Sequence, residues 1–422
     1  MGTEHKPLLL VIATGPQLYR EYLLRSISTR YRVHLITADE PTWELPYLAG
    51  ATVSADTGAE AVLRAARQVA DAEPVHGVMS WHEEHIVQAA LVAEDLGLPG
   101  SSPAAVRRCR DKFATRTALA EHGLPQPAFA LVAGVKEALA AADQLGYPVV
   151  LKPRGAGGSE GVVLAENAES LTERFRFAHD VTVPHGPVYE QACLVEEFLD
   201  APEISVDSVI HGGTVTGLFV GRKEIGFAPY FEEIGHHVSN CDPLLTDPGF
   251  LRILTAVHEA LGYTDGWTHA EFKLTEQGPK LIEVNGRLGG DLIPYLGMRA
   301  SGIDPGLAAA AVACGEKPVT TASDALIAGV RFFYPEHDGT LIDSVDFDRS
   351  AAPAETDLLV PLVGHGAVVS PPPKGIVEGR MAFATVVAAS PETCTAALDA
   401  AQAALRVRTG DTKEITDCHR TH

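Results

Sequence analysis

The sequence predicts an α/β protein, α+β in part, and three observations carry that prediction. Strand-like and helix-like segments alternate through roughly the first 100 residues, as parallel layers require. A glycine-dense loop follows an apolar strand at 149–163. A hairpin at 269–291 carries two glutamates, an asparagine and an arginine where a core strand should be apolar.

The first layer opens with "PLLLVIATGPQLYREYLLRSI", a buried apolar strand, a Thr-Gly-Pro turn and an amphipathic helix. "YRVHLITAD" is a second strand, "GAEAVLRAARQVADAEP" a helix, and "VHGVMSW" a third strand that leads into the helix "EEHIVQAALVAEDLGLPG". The first turn lacks G-x-G-x-x-G, so a dinucleotide site is not expected there. From 101 the pattern changes. Ser102-Pro103 starts a helix bearing Arg107, Arg108, Asp111 and Lys112, and "KEALAAADQLG" is another helix before the strand "YPVVLK". Residues 188–221 are strand-rich, with a hairpin turn at His211-Gly212-Gly213. Asp247 and Pro248 form an N-cap and first-turn pair for a helix with apolar residues at 250, 253, 254, 257 and 261. Beyond 300 come an Ala-rich helix (306–314), short strands broken by Pro and Gly, and a last helix over 391–407.

Bulk properties narrow the function. The formal net charge of −22 argues against nucleic-acid or anionic-membrane partners, which are held by clustered Lys and Arg. No stretch approaches the ~18 apolar residues of a membrane span, and the polar start Met1–Lys6 shows no signal-peptide pattern. Cysteines 109, 193, 241, 314, 394 and 418 lie far apart, without metal spacing. They are expected to be reduced thiols in a cytoplasmic protein.

Three stretches carry chemistry. In "VVLKPRGAGGSEGVV" a strand ends in Lys152, and glycines follow at 155, 157, 158 and 161 around Ser159. Such a loop can present N–H groups to anionic oxygens, with the lysine as a point charge; the plain alternative is a Gly-rich surface loop. In the hairpin, Glu271 and Lys273 share one face of the first arm. Ile282 and Val284 share a face of the second arm, opposite Glu283, Asn285 and Arg287. Pairing about a turn centred near Gln277 sets Glu271 against Glu283. Like charges so placed repel, so a positive species is expected between them. Three oxygen donors on one face also suit Mg²⁺, although an alternating polar face can simply be solvated. The third stretch, "LVEEFLDAPEISVDSV", carries acids at 196, 197 and 203, which could also be edge charges.

In this order and spacing the pieces resemble the ATP-grasp ligases over about 105–295: "RDKFATRTALAEHGLPQP", "YPVVLKPRGAGGSEGV", "LVEEFLDAPEISVD" and "HAEFKL…LIEVNGRLGGD". The resemblance implies an N-terminal parallel α/β domain at 1–105 and an ATP-grasp region at 106–300, with a lid at about 128–195 and a catalytic core at about 196–300. A C-terminal β-rich domain would span 301–422. It implies ATP contacts from Lys112, Lys152 and the loop of Gly155, Gly157, Gly158, Ser159 and Gly161. Glu196, Glu197 and Leu199 would line the adenine pocket, and Glu203 would hold the ribose. Glu271, Glu283 and Asn285 would hold two Mg²⁺ ions (or Mn²⁺), with Arg287 stabilising the transferring phosphoryl group. "FEEIGH" at 231–236 resembles the substrate-reading segment of the L-amino-acid ligases of this superfamily. There Glu233 would hold a substrate ammonium and His236 would lie near the reacting carboxyl. The implied activity is ATP-dependent joining of small molecules, an amino-acid carboxylate to a second amino acid or similar amine. Alternatives are a non-amino-acid carboxylate, a carrier or peptide partner, or a nucleotide-binding scaffold without catalysis. A homodimer is left open.

Overall fold

The structure is a computed structural model, described here for residues 6–181 and 192–410. Met1–His5, the start of the strand-rich stretch (188–191) and Cys418 lie outside the described residues.

The N-terminal layer contains β1 (Leu8–Ile12), α1 (Gln17–Arg30), β2 (Arg32–Thr37), β3 (Leu48–Val53), α2 (Ala59–Ala72), β4 (Gly77–Met79) and α3 (Ile86–Leu96). Its sheet is parallel, in the order β3-β2-β1-β4. Sequence analysis missed β3, and the reason is physical. It is an edge strand whose residues alternate half-buried and exposed, and its centre, Ala49-Gly50-Ala51, has no bulky apolar stripe. The order reverses at β1 and β4, so the loops after these strands flank a crevice at the carboxyl ends.

Helices α4 (Pro103–Arg110) and α5 (Lys112–Glu121) lead into a small α/β unit, the expected lid, built from β5 (Phe129–Val132), α6 (Val135–Leu145), β6 (Val149–Pro153), β7 (Val163–Ala165), α7 (Ala168–His179) and β8 (Cys193–Glu197). Ser102 caps α4 as its sequence demands, accepting from Ala105 N at 3.2 Å. The lid sheet runs β5-β8-β6-β7 and encloses its own apolar cluster, including Val149, Leu151, Leu171 and Phe175.

The remaining chain forms β9 (Glu203–His211), β10 (Thr214–Gly226), β11 (Glu232–Ser239), α8 (Pro248–Leu261), β12 (Gly266–Thr275), β13 (Gly278–Asn285), α9 (Ile293–Ser301) and α10 (Pro305–Ala313). The C-terminal part adds β14 (Ile327–Phe333), β15 (Thr340–Phe347), β16 (Thr356–Pro361), β17 (Val368–Val369), β18 (Ala382–Ala388), α11 (Pro391–Ala404) and β19 (Leu405–Thr409). These last strands do not stand apart as the sequence suggested. β14, β18 and β16 continue the central sheet, whose order is β13-β12-β9-β10-β11-β14-β18-β16. Only β17, β15 and β19 form a separate small sheet. The last helix stops at Ala404, three residues before the expected 407, and runs directly into β19. One apolar cluster joins Leu23 and Ile27 of α1, Phe219 and Trp267 of the central sheet, and Phe383 of β18. Among the described residues no helix is long and apolar enough to cross a membrane.

Candidate active site

The β12–β13 hairpin sets the geometry. Near the turn Thr275 pairs with Gly278 and Phe272 with Leu281, so the turn proper has two residues, Glu276 and Gln277. A bulge then shifts the register, and beyond it Glu271 faces Glu283 and His269 faces Asn285. The sequence expectation for the glutamates holds, but by a different route: a tighter turn plus one extra residue. The bulge also corrects the parity of the second arm. Leu281 and Val284 enter the core together, while Ile282, expected beside Val284, borders the same cavity as Glu283 and Asn285.

The expected positive species are lysines. Lys223 Nζ lies 2.7 Å from Glu271, and Lys112 Nζ lies 3.1 Å from Glu283. Lys223, on β10, was missed by sequence reasoning. It is also 3.1 Å from Glu233 and 3.4 Å from Glu203, so one buried ammonium joins three carboxylates. Burial alone would lower its pKa, yet Glu233, Glu271 and Glu203 hold it well above the ordinary lysine range. Glu271 is held well below the usual carboxylate range, because Lys223 and His269 outweigh its burial. His269 is itself clamped by Asp207 at 2.9 Å; burial works against its charge, but Asp207 and Glu271 push it up to about 9. The only sequence signal for Lys223 was a cation inside the strand just before the substrate-like stretch.

A second charged cluster lies on the lid side. Lys152 ends β6 and meets Glu196 of β8 at 2.6 Å, while Arg116 of α5 meets the same carboxylate at 2.8 Å. Burial lowers the Lys152 pKa and opposes ionisation of Glu196, but Arg116 and Lys152 pull that carboxyl down to about 2. Two cations share one anion, leaving a fixed excess of positive charge next to the glycine loop. Lys112 also donates to Ala156 O at 2.6 Å, and Ser159 Oγ donates to Phe231 O at 2.6 Å, latching the loop toward β11. Gly157 and Gly158 border the cavity, and a Cβ on either would meet nothing within 4 Å, so the room above them is free. Gly161 is constrained instead by packing: its φ is +73°, and a Cβ there would meet Val181 at 2.6 Å. Gly155 is buried and its carbonyl accepts from Arg110. These two glycines shape the loop and do not border the cavity.

Glu196, Glu197, Leu199 and Glu203 border the same chamber. Glu197 is tied to Lys280 at 3.0 Å and Glu203 to Lys273 at 3.3 Å. At the opposite end, Arg287 forms a close ion pair with Glu83, which also meets Arg110 at 3.3 Å. Glu233 lies between Lys223 and His236, the latter 2.5 Å away, and is driven down to about 2 as Lys223 and His236 overcome burial. His236 itself is fully buried and stands behind Glu233, not at the cavity. Sequence reasoning also missed Glu232, Asp291 and Arg380. The buried Arg380 guanidinium lies 2.6 Å from Asp291 and 3.1 Å from Glu232, over the Phe332 ring at 3.7 Å.

One cavity of about 230 Å³ therefore touches Lys112, Lys152, Glu233, Glu271, Glu283, Asn285 and Arg287. Two facing carboxylates and a buried amide oxygen form an all-oxygen donor set, which fits a hard divalent cation.

The ATP-grasp domain family matches residues 145–294. The "uncharacterized protein y4rH" of Sinorhizobium fredii is 33% identical over 282 residues, which is 66% of this chain and 57% of that protein. Carnosine synthase 1 of Homo sapiens is 34% identical over 260 residues, 57% of this chain and 31% of that protein. The chain thus spans between about a third and somewhat over half of these curated relatives. The solved L-amino acid ligase of Bacillus licheniformis superposes with a TM-score of 0.79 at 23% identity, covering 97% of this chain and 100% of that one.

Proposed function

We propose, from the match of residues 145–294 to the ATP-grasp domain family, that this chain is an ATP-dependent ligase that activates an amino-acid carboxylate and joins it to a second amino acid. The observation that supports the reading most is the single chamber bordered by two lysines, two facing glutamates, an asparagine and an arginine. Phosphoryl transfer asks a protein chiefly for positioning and for charge stabilisation of this kind.

The chemistry follows from the balance of charge. A substrate carboxylate oxygen attacks the γ-phosphorus of ATP, the bond to the β-phosphate oxygen breaks, and ADP leaves. A neutral amine then attacks the acyl carbon of the acyl-phosphate, phosphate departs with the bonding electrons, and the nitrogen loses a proton. Lys152 and Lys112 would bring positive charge to the phosphate oxygens, and Arg287 would stabilise the transferring phosphoryl group. Mg²⁺ held by Glu271, Glu283 and Asn285 would neutralise phosphate charge. Glu233 offers a carboxylate to a substrate ammonium, with His236 buttressing it from behind. The glycine loop, latched through Ser159, limits water attack on the activated acyl group.

The test is phosphate release from MgATP against pools of amino acids, with mass detection of products. Release that requires a particular pair, with a new amide mass, is expected. Nucleotide binding without turnover against every pool would favour a scaffold and overturn the reading.

A further inference from the structure

Arg20, in the first turns of α1, has no place in the machinery described above. It is half-buried, and its hydrogen bond runs from a guanidinium nitrogen to Gly289 O at 3.2 Å. The next residue, Gly290, borders the cavity, and a Cβ there would meet nothing within 4 Å. Arg20 thus comes from the N-terminal layer to within one residue of the chamber's lining, at the end that carries Arg287 and Asp291.

The nearby acids are already taken. Glu83 is paired with Arg287 and Arg110. Asp291 is held by Arg380 at 2.6 and 3.0 Å. Asp207 accepts from Trp267 at 2.8 Å and faces His269 at 2.9 Å. Among the described residues Arg20 forms no ion pair, whereas Arg110, Arg116, Arg154, Arg287 and Arg380 around the chamber each have one. A guanidinium without an ion pair beside the chamber's lining, with Arg287 as a second cation nearby, calls for an anionic ligand. Its environment agrees: burial, and then Arg287, lower its pKa, as expected for a cation short of a partner.

We propose that Arg20 anchors the carboxylate of the amine-side substrate, so that the acceptor is a free amino acid or a peptide with a free carboxyl end, not a simple amine. The inference rests on the ligase reading and sharpens it. The carboxylate to be phosphorylated belongs beside Lys112 and Lys152. Arg20 lies at the other end, on Gly289 O in the segment that carries Arg287 and Asp291. A planar guanidinium fixed by a backbone carbonyl keeps further N–H groups free for a carboxylate.

The experiment compares wild type, Arg20→Gln and Arg20→Lys, using L-amino acids and the matching L-amino-acid amides as acceptors with MgATP. Binding of each acid and amide is also measured by calorimetry with Mg²⁺ and a non-hydrolysable ATP analogue. Wild type is expected to prefer the acid by at least about tenfold, as loss of one charge-assisted bond implies. In Arg20→Gln that preference should fall to within about threefold, and Arg20→Lys should restore part of it, because a bare charge replaces a two-pronged donor. An unchanged preference in Arg20→Gln, or a wild type that takes amides as readily as acids, overturns the anchor. If no acceptor forms an amide, the ligase reading fails. The calorimetric acid-over-amide ratio and its dependence on Arg20 still decide the anchor.

Discussion

At the scale of single residues the site is a problem in electrostatics. Glu271 and Glu283 face each other across two strands, and each is neutralised by its own lysine. Lys223 ties Glu271, the proposed metal ligand, to Glu233, the proposed ammonium partner, through one cation. Replacing Glu283 with Gln keeps the side-chain shape and leaves Lys112 its bond to Ala156 O. The variant is therefore expected to fold with an unchanged circular-dichroism spectrum. Its kcat should drop more than tenfold, a loss of over about 1.4 kcal/mol of transition-state stabilisation. Steady-state phosphate release checks this, and a variant retaining more activity would remove Glu283 from the metal set. The facing glutamates were legible in the sequence because strand parity is local. Their lysine partners were not, because parity says nothing about which distant residue closes the gap.

At the scale of elements, two devices carry consequences. The lid has its own small core and meets β11 through the Ser159 latch, while Gly157 and Gly158 are exposed. Residues 155–161 are expected to be cut readily by protease in the free protein and protected by Mg²⁺ with an ATP analogue, since phosphate oxygens would satisfy the loop N–H groups. Equal cleavage in both states would exclude the loop from nucleotide binding. The second device is His258, which pins α8 to β12. Its Nδ1 donates to Leu254 O and its Nε2 accepts from Thr268 Oγ1, each at 2.7 Å. Burial pushes this imidazole down to about 4. The unfolded chain would bind its proton near pH 6.5, so between about 6.5 and 4 only the unfolded state gains a proton. Stability should therefore fall as pH drops through that window, by up to about 1.4 kcal/mol per pH unit from this group, and the loss should level off below pH 4. Urea midpoints across pH 4–7 check it: His258→Gln should show a shallower acid slope than wild type. Sequence analysis read α8 and its Asp247 cap correctly, since Asp247 accepts from Gly249 N and Phe250 N. It overlooked the β13 bulge because a one-residue insertion leaves no mark on composition.

At the scale of the whole molecule, three of the C-terminal strands, β14, β18 and β16, are part of the central sheet, and the buried Arg380 of this region reaches the chamber. Arg380 precedes β18 yet satisfies Asp291 beyond β13 and Glu232 at the start of β11. Removing it leaves two carboxylates without their cation. Arg380→Ala is expected to lower unfolding stability by roughly 3–5 kcal/mol, the usual cost of orphaning a buried charge. Chemical denaturation measures it, and a loss below about 1 kcal/mol would show that the C-terminal part merely rests against the site. The place of this region in the central sheet was hidden because its short strands are separated by Pro- and Gly-containing stretches, which read locally as a β-rich domain of its own.

The sequence by itself determined the order of motifs, the polar face of the hairpin, the glycine loop after Lys152 and the caps of the helices. Each depends on neighbours within a few residues, where side-chain parity and backbone preference act. Only the tertiary structure decided which charges meet. Lys112 reaches Glu283 across 171 residues, Arg287 reaches Glu83 across 204, and Arg380 reaches Asp291 across 89. Coulomb attraction depends on distance in space and on burial, and neither is written in distance along the chain.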